Sequence, residues 1–373
     1  VISSLPENPG QTAAQETRTR PARLQFGTFI LLASIALSVS GCGSYLARRL
    51  AQAPNTYPTW FAPHARVELR FGSGILTNFP VHYAEVGPPE SRLRYRVIEP
   101  ADYQFKLTTS NWTEHGQPQY QFSIHATAPG KSNAWTANPR GTVLLLHGYG
   151  LAQFAMAPWA FQLAEDGWRC VLVDLRGHGK STGKRIFFGT RETTDMTQLL
   201  DVLKRDNLIG DKVGVVGESY GASLALRWKG MDPRVGPVVA IAPYAVLSNA
   251  VLNIGTDYAG WVPEWTVKSG LRNLPALLEV DPQQLDTISV LKDRPVPALF
   301  IAAAEDKVAT SAEVKLLQQT ASPGSKLIIV PDASHEAVTY YFDVLAGPVR
   351  DWLAGDESEN TDGHQKLHSP PVH

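Results

Sequence analysis

The sequence predicts an α/β protein with a mostly parallel sheet covered by helices on both faces. Two observations carry this. From Gly141 onward, short apolar runs without polar alternation recur, and segments of helical spacing separate them. Strands that are apolar on both sides must be buried on both sides, which a parallel sheet between two helical layers provides.

The elements follow in order. GTVLLLHGYG (141–150) is a strand ending in glycines, and FAMAPWAFQLAEDG (154–167) is a helix stopped at Gly167. RCVLVDLRGHG (169–179) is a second buried strand, and TTDMTQLLDVLKRDN (193–207) is a helix with Leu199, Leu200 and Leu203 on one face. KVGVVGESYG (212–221) reads as a strand running into the helix ASLALRWKG (222–230). GPVVAIAPY and PVPALFIAAAED are strands, TSAEVKLLQQTA a helix, KLIIVPDASHE a strand and loop, and AVTYYFDVLAGPVRDWLAG a closing helix. Residues 246–292 interrupt the rhythm and read as a short cap insertion. Upstream, RLRYRVIEP, YQFKLTTS and QYQFSIHATA alternate apolar and polar residues, as half-exposed antiparallel strands do. The polar, Pro-ended stretch 356–373 reads as a disordered tail.

A chain of 373 residues with 43% hydrophobic residues can bury a large core. Its formal net charge of −1 provides no basic stripe, so nucleic acid is not an expected partner. The two cysteines, Cys42 and Cys170, have no metal-site spacing, and no metal is expected.

The N-terminus carries a targeting signal. Arg18, Arg20 and Arg23 precede an apolar run from Phe26 to Gly41, too short for a membrane span and flanked as a secretory signal is. Val39-Ser40-Gly41-Cys42 resembles the bacterial lipobox, which implies a signal peptide over 1–41, lipidation of Cys42 and a lipid-anchored protein of the cell envelope. Gly43 lacks the aspartate that retains such lipoproteins at an inner membrane, which points to an outer membrane in a Gram-negative host. Residues 42–59 then read as a tether and 60–92 as an N-terminal extension.

Two G-x-S-x-G matches compete for the role of a nucleophile. A nucleophile elbow needs a strand before the serine, a helix after it and flanking positions almost free of side chain. Ser219 meets all three, between Gly217 and Gly221. Ser181 lies about seven residues past its strand and precedes the polar TGKR, so it reads as part of a connection. GKST at 179–182 is no phosphate loop either, because the required upstream glycine is Asp174, and nucleotide is not expected.

A serine hydroxyl needs a base, and on this kind of sheet the order is serine, acid, histidine. Of the four histidines after Ser219, three lie in the tail, and His335 alone follows an apolar strand. Asp306, at the carboxyl end of PVPALFIAAA, is the preferred acid over Glu305 and Asp332. The tetrahedral oxyanion requires backbone donors, which the Tyr220 and Tyr149 amides are placed to supply. His147 reads as a loop-shaping residue.

LLLHGYG, DLRGHGKSTG, GESYGA, AAAEDKV and DASHE, in that order, resemble the alpha/beta-hydrolase superfamily over roughly residues 95–355. HGYG with DLRGHGKSTG is most similar to its serine aminopeptidase and monoacylglycerol-lipase-like branch. The resemblance implies an eight-stranded, mostly parallel sheet in a domain spanning 93–355, a triad of Ser219, Asp306 and His335, and no cofactor. The expected function is cleavage of a carboxylic ester, an acyl lipid or small acyl ester. Thioesterase and peptidase chemistry use the same machinery, and a non-catalytic envelope binding module is the alternative.

Overall fold

The computed structural model describes residues 43–56, 67–71, 76–114, 117–127, 138–210, 213–258 and 263–355. Cys42 and the signal before it, residues 259–262 of the insertion, and the tail with His364, His368 and His373 lie outside the described residues.

The strands are β1 (Val67–Phe71), β2 (His82–Val86), β3 (Ser91–Ile98), β4 (Lys106–Glu114), β5 (Gln117–His125), β6 (Thr142–Leu146), β7 (Arg169–Asp174), β8 (Val213–Glu218), β9 (Val235–Ile241), β10 (Leu299–Ala303) and β11 (Lys326–Val330). Eight of them form one sheet in the order β11-β10-β9-β8-β6-β7-β3-β2. From β7 to β11 every pairing is parallel, whereas β2–β3 and β3–β7 are antiparallel. The central strands β6, β8 and β10 are buried at every residue, as their unbroken apolar runs require.

The helices are α1 (43–50), α2 (Ala157–Glu165), α3 (Glu192–Arg205), α4 (Tyr220–Met231), α5 (Leu247–Tyr258), α6 (Glu264–Leu278), α7 (Thr287–Asp293), α8 (Ser311–Thr320) and α9 (Phe342–Ala354). Strand residues alternate between two cores. Leu144, Val171, Val215 and Phe300 face α3, α4, α7 and α8, while Val143, Leu172, Val216 and Ile301 face α2 and α9. The helix over 193–207 packs through Leu199, Leu200 and Leu203 as its spacing predicts. The expected α/β architecture with helices on both faces is therefore present. Strands β1, β5 and β4 form a separate three-stranded sheet, in which β4 and β5 make an antiparallel hairpin.

Two boundaries differ from expectation. The stretch 60–92 is not simply an extension outside the hydrolase domain. It supplies β2, which pairs with β3 from His82↔Tyr95 to Val86↔Ser91 and forms the sheet's edge. Polar side chains on the outward face of this edge strand hide its membership from a search for apolar runs. Residues 43–56 are also not a tether. Residues 43–50 are helical, and Ala47, Ala51 and Ala53 are fully buried. Leu46 and Leu50 pack against Gly270 of α6 so closely that a Cβ there would sit 2.8 Å from Leu46 Cβ. The missing side chain at Gly270 permits this approach, and an Ala-rich composition alone reads as linker. Beyond the helix, the Ala53 amide donates to the Lys184 carbonyl and the Asn55 amide to that of Gly177.

Between β9 and β10, residues 246–292 form α5, α6 and α7. Ile288 and Leu291 of α7 sit in the core against α4 and α8, so the end of this insertion belongs to the body of the domain. Trp265 of α6 is 59% exposed. Among the described residues no helix is long and apolar enough to cross a membrane.

Candidate active site

Strand β8 ends at Glu218 and α4 begins at Tyr220, which leaves Ser219 alone in the turn. Its φ of 49° and ψ of −109° place it in the positive-φ region that a non-glycine residue rarely adopts. The Ser219 amide donates to the Ile241 carbonyl at 2.7 Å, tying the strained residue to β9. The turn is possible because its neighbours lack side chains. A Cβ on Gly217 would overlap the Gly221 carbonyl oxygen, and one on Gly221 would overlap the Leu146 carbonyl oxygen. Both glycines are thus sterically obligatory, as the elbow reading requires.

His335 and Asp306 arrive on the loops after β11 and β10. His335 Nε2 lies 3.0 Å from Ser219 Oγ, and His335 Nδ1 lies 2.7 Å from Asp306 Oδ2. The other carboxylate oxygen of Asp306 accepts the Val308 and Ala309 amides at 2.7 and 2.8 Å, which fixes its orientation. Glu305 and Asp332, the competing acids, take other positions. Glu305 is exposed, and Asp332, at φ 55°, is an exposed turn residue whose carbonyl accepts the Tyr341 hydroxyl. Burial alone would lower the His335 pKa. The Asp306 carboxylate, helped by Glu218, more than offsets this and raises it above the ordinary histidine value.

Tyr220 is the first residue of α4, so its amide lies at a helix N-terminus beside Ser219. Tyr149 lies in the loop after β6, with its ring centroid 6.5 Å from that of Tyr220. Tyr149, Leu151 and Phe154 of this loop and its continuation all stand exposed. Beside His335 opens a cleft of about 270 Å³, edged by Tyr120, Asp257, Lys307 and Asp332.

His147 is fully buried, and its ring nitrogens are engaged with the backbone rather than with the triad. Its Nδ1 donates to the Gly148 carbonyl and its Nε2 accepts the Leu175 amide, so it ties two loops together. The His178 ring lies 5.1 Å from it. Burial lowers the pKa of both rings, that of His178 to about 3, so both are neutral struts.

Ser181 is 2% exposed, and its hydroxyl is committed to the fold. Ser181 Oγ donates to the Asp174 carbonyl at 2.6 Å and accepts the Arg94 amide at 2.8 Å. The Asp174 carboxylate accepts the Gln153 and Lys180 amides, and Gly177 and Gly179 turn the chain at positive φ. The second G-x-S-x-G match is therefore a hydrogen-bonded loop. Among the described residues, no group of three or more potential metal ligands is assembled.

Comparison with known proteins agrees with this architecture. The model of the alpha/beta hydrolase family matches residues 143–346, more than half of the chain. An uncharacterized protein of Bacillus subtilis, YqkD, is 24% identical over 209 residues, 53% of this chain and 66% of that protein. The acyltransferase drtE of Aspergillus calidoustus is 27% identical over 119 residues, 31% of this chain and 39% of that protein. The chain thus spans less than two thirds of the length of either relative. Among solved structures, the Pyrococcus furiosus esterase Pf2001 superposes with a TM-score of 0.53 at 20% identity, covering 76% of this chain and 95% of that one. The alpha/beta hydrolase GrgF from a Penicillium species gives 0.51 at 15% identity, covering 74% and 98%. The sheet order, the elbow and the family match lead to one assignment: the chain belongs to the alpha/beta hydrolase family.

Proposed function

We propose that the protein is a serine hydrolase that cleaves carboxylic esters, from acyl lipids to small acyl esters, through an acyl-enzyme on Ser219. One observation carries this reading: the unbroken line from Asp306 Oδ2 to His335 Nδ1, 2.7 Å, and from His335 Nε2 to Ser219 Oγ, 3.0 Å. His335 is the base. It takes the Ser219 proton as Oγ attacks the ester carbonyl carbon, and the imidazolium that forms is held by Asp306. The Tyr220 and Tyr149 amides receive the negative oxygen of the tetrahedral intermediate. Collapse of the intermediate breaks the bond to the leaving alcohol, which takes the proton from His335. Water, activated by the same imidazole, then hydrolyses the acyl-enzyme. The exposed Tyr149, Leu151 and Phe154 beside the site suit an apolar acyl chain.

The test is labelling of the soluble fragment from Ser44 onward with a fluorophosphonate probe. Wild type is expected to label, Ser181→Ala to label equally, and Ser219→Ala to lose the label. A well-folded wild type that does not react would overturn the reading in favour of a non-catalytic envelope binding module. Esters, thioesters and peptides of graded acyl length then separate the substrate classes.

The sequence Val39-Ser40-Gly41-Cys42 supports anchoring through a lipid on Cys42 at a bacterial envelope membrane. A radiolabelled fatty-acid precursor is expected to enter the full chain and not Cys42→Ala. Secretion of both forms without label would sink the anchor.

A further inference from the structure

The expected lipid anchor has no slack. Cys42 is joined directly to α1, so its Cα lies about 3.8 Å from that of Gly43. Gly43 is itself buried on α6, where an added Cβ would lie 2.6 Å from Ser269 Oγ and 2.5 Å from Asn273 Nδ2. Leu46 and Leu50 continue this contact at Gly270. Just past the other end of α1, the Ala51 carbonyl accepts the Ile186 amide and the Ala53 amide donates to the Lys184 carbonyl. A lipid on Cys42 would therefore be fastened to the cap helix α6 and not hung from a flexible linker.

The surface beside this point suits a layer of lipid headgroups. On α6, Trp265, Lys268 and Arg272 recur at i, i+3 and i+7 and form one exposed stripe. Around the helix, this stripe adjoins Ser269 and Asn273, the residues that meet Gly43. On α1, Tyr45 and Arg48 are exposed at i and i+3. The two helices carry Arg48, Arg49, Lys268 and Arg272 against one carboxylate, Glu264, which pairs with Lys268 at 2.7 Å. The whole chain has a net charge of −1, so this positive excess is local. Tryptophan and tyrosine settle at a membrane–water boundary, and lysine and arginine are drawn to anionic headgroups.

We propose that the outer face of α1 and α6 is a docking surface for an anionic phospholipid bilayer, on which the anchored protein lies with its cap toward the headgroups. The orientation rests on reading Cys42 as lipidated. The cap is continuous with the candidate active site. α6 packs on α5, and Asn253 of α5 donates to the carbonyl of Val308, two residues past Asp306. Asp257, also on α5, edges the cleft beside His335. Docking on this face therefore turns the cap side of the site toward the bilayer, where acyl lipids are the esters at hand.

The test uses the chain from residue 42 onward without its lipid, as Cys42→Ser. It keeps every described element, all within one compact unit that begins at Gly43. This chain is expected to co-sediment with vesicles of phosphatidylethanolamine and phosphatidylglycerol, and not with vesicles of phosphatidylcholine at the same ionic strength. Lys268→Gln with Arg272→Gln is expected to weaken that binding about 10- to 30-fold at an unchanged unfolding midpoint. Trp265→Ala should weaken it as well. A second readout locates the contact. A fluorophore on Ala276→Cys, on the exposed side of α6, is expected to be quenched by brominated lipid. The same fluorophore on Met231→Cys, which ends α4 about 18 Å along that helix from Ser219, is expected to stay bright. No binding to either vesicle, binding that ignores lipid charge and the α6 variants, or equal quenching at the two positions would overturn the proposal. So would a chain that ignores vesicles and pairs with a second copy through this face. Neither readout needs turnover, so the fluorophosphonate result decides the hydrolase reading separately. If the fatty-acid label does not enter the full chain while the α6 face still binds vesicles, the anchor falls and the docking surface stands.

Discussion

Asp306→Asn is expected to slow acylation of Ser219 by about 10³- to 10⁴-fold with the fold intact, the loss seen when a triad histidine is held in the wrong tautomer. The geometry dictates this outcome. Asp306 Oδ1 accepts the Val308 and Ala309 amides, and an asparagine retains that oxygen in the same position. Its amide nitrogen must then face His335 Nδ1, where Oδ2 now sits at 2.7 Å. A nitrogen that donates there forces Nδ1 to accept, which puts the proton on Nε2. His335 then cannot take the proton of Ser219 Oγ, 3.0 Å away. Fluorophosphonate inactivation rates with thermal unfolding as a control check this directly. A loss of less than about tenfold, at unchanged stability, would mean that another group sets the tautomer of His335. Asp306→Ala is a poorer test, since it also strands two buried amides.

Much of this site was legible because the elbow imposes local demands that a sequence can meet or fail. Ser219 was separable from Ser181 by the strand before it, the helix after it and two obligatory glycines. His335 and Asp306 followed from chain order and from the apolar strands that deliver them. Three things were hidden, each for a physical reason. Glu218 occupies an ordinary variable position of the motif, and its carboxyl group is buried against the loop after β6, remote in sequence. β2 is an edge strand with a half-exposed pattern, so no apolar run announces it. The helix over 43–50 is held by α6, more than two hundred residues away, and the fit depends on Gly270 rather than on the segment's own composition. Each is a tertiary contact, which periodicity does not encode.

The loop that carried the false motif offers the largest expected effect on stability. Arg176 follows β7 and is bidentate to Asp195 of α3, at 2.7 and 2.6 Å, and both side chains are 1% exposed. Asp195→Ala leaves a guanidinium buried without its partner, which is expected to destabilise the protein by about 3–5 kcal/mol. Glu192, also buried on α3, is no substitute, because its oxygens already accept the Phe187 and Gly189 amides. The damage should spread along the loop. Ser181 anchors it to β3 through the Arg94 amide, and Asn55 docks the N-terminal segment on it through the Ser181 carbonyl. Loosening Arg176 therefore weakens the attachment of residues 51–56 as well as α3. The ion pair itself need not be net stabilising. Arg176→Met with Asp195→Leu removes both charges together and is expected to recover most of the loss. Unfolding midpoints for Asp195→Ala, Arg176→Met, Asp195→Leu and the double variant settle the point. An Asp195→Ala protein as stable as wild type would show that water or a rearranged carboxylate reaches Arg176, and that this loop is less rigid than its hydrogen bonds imply.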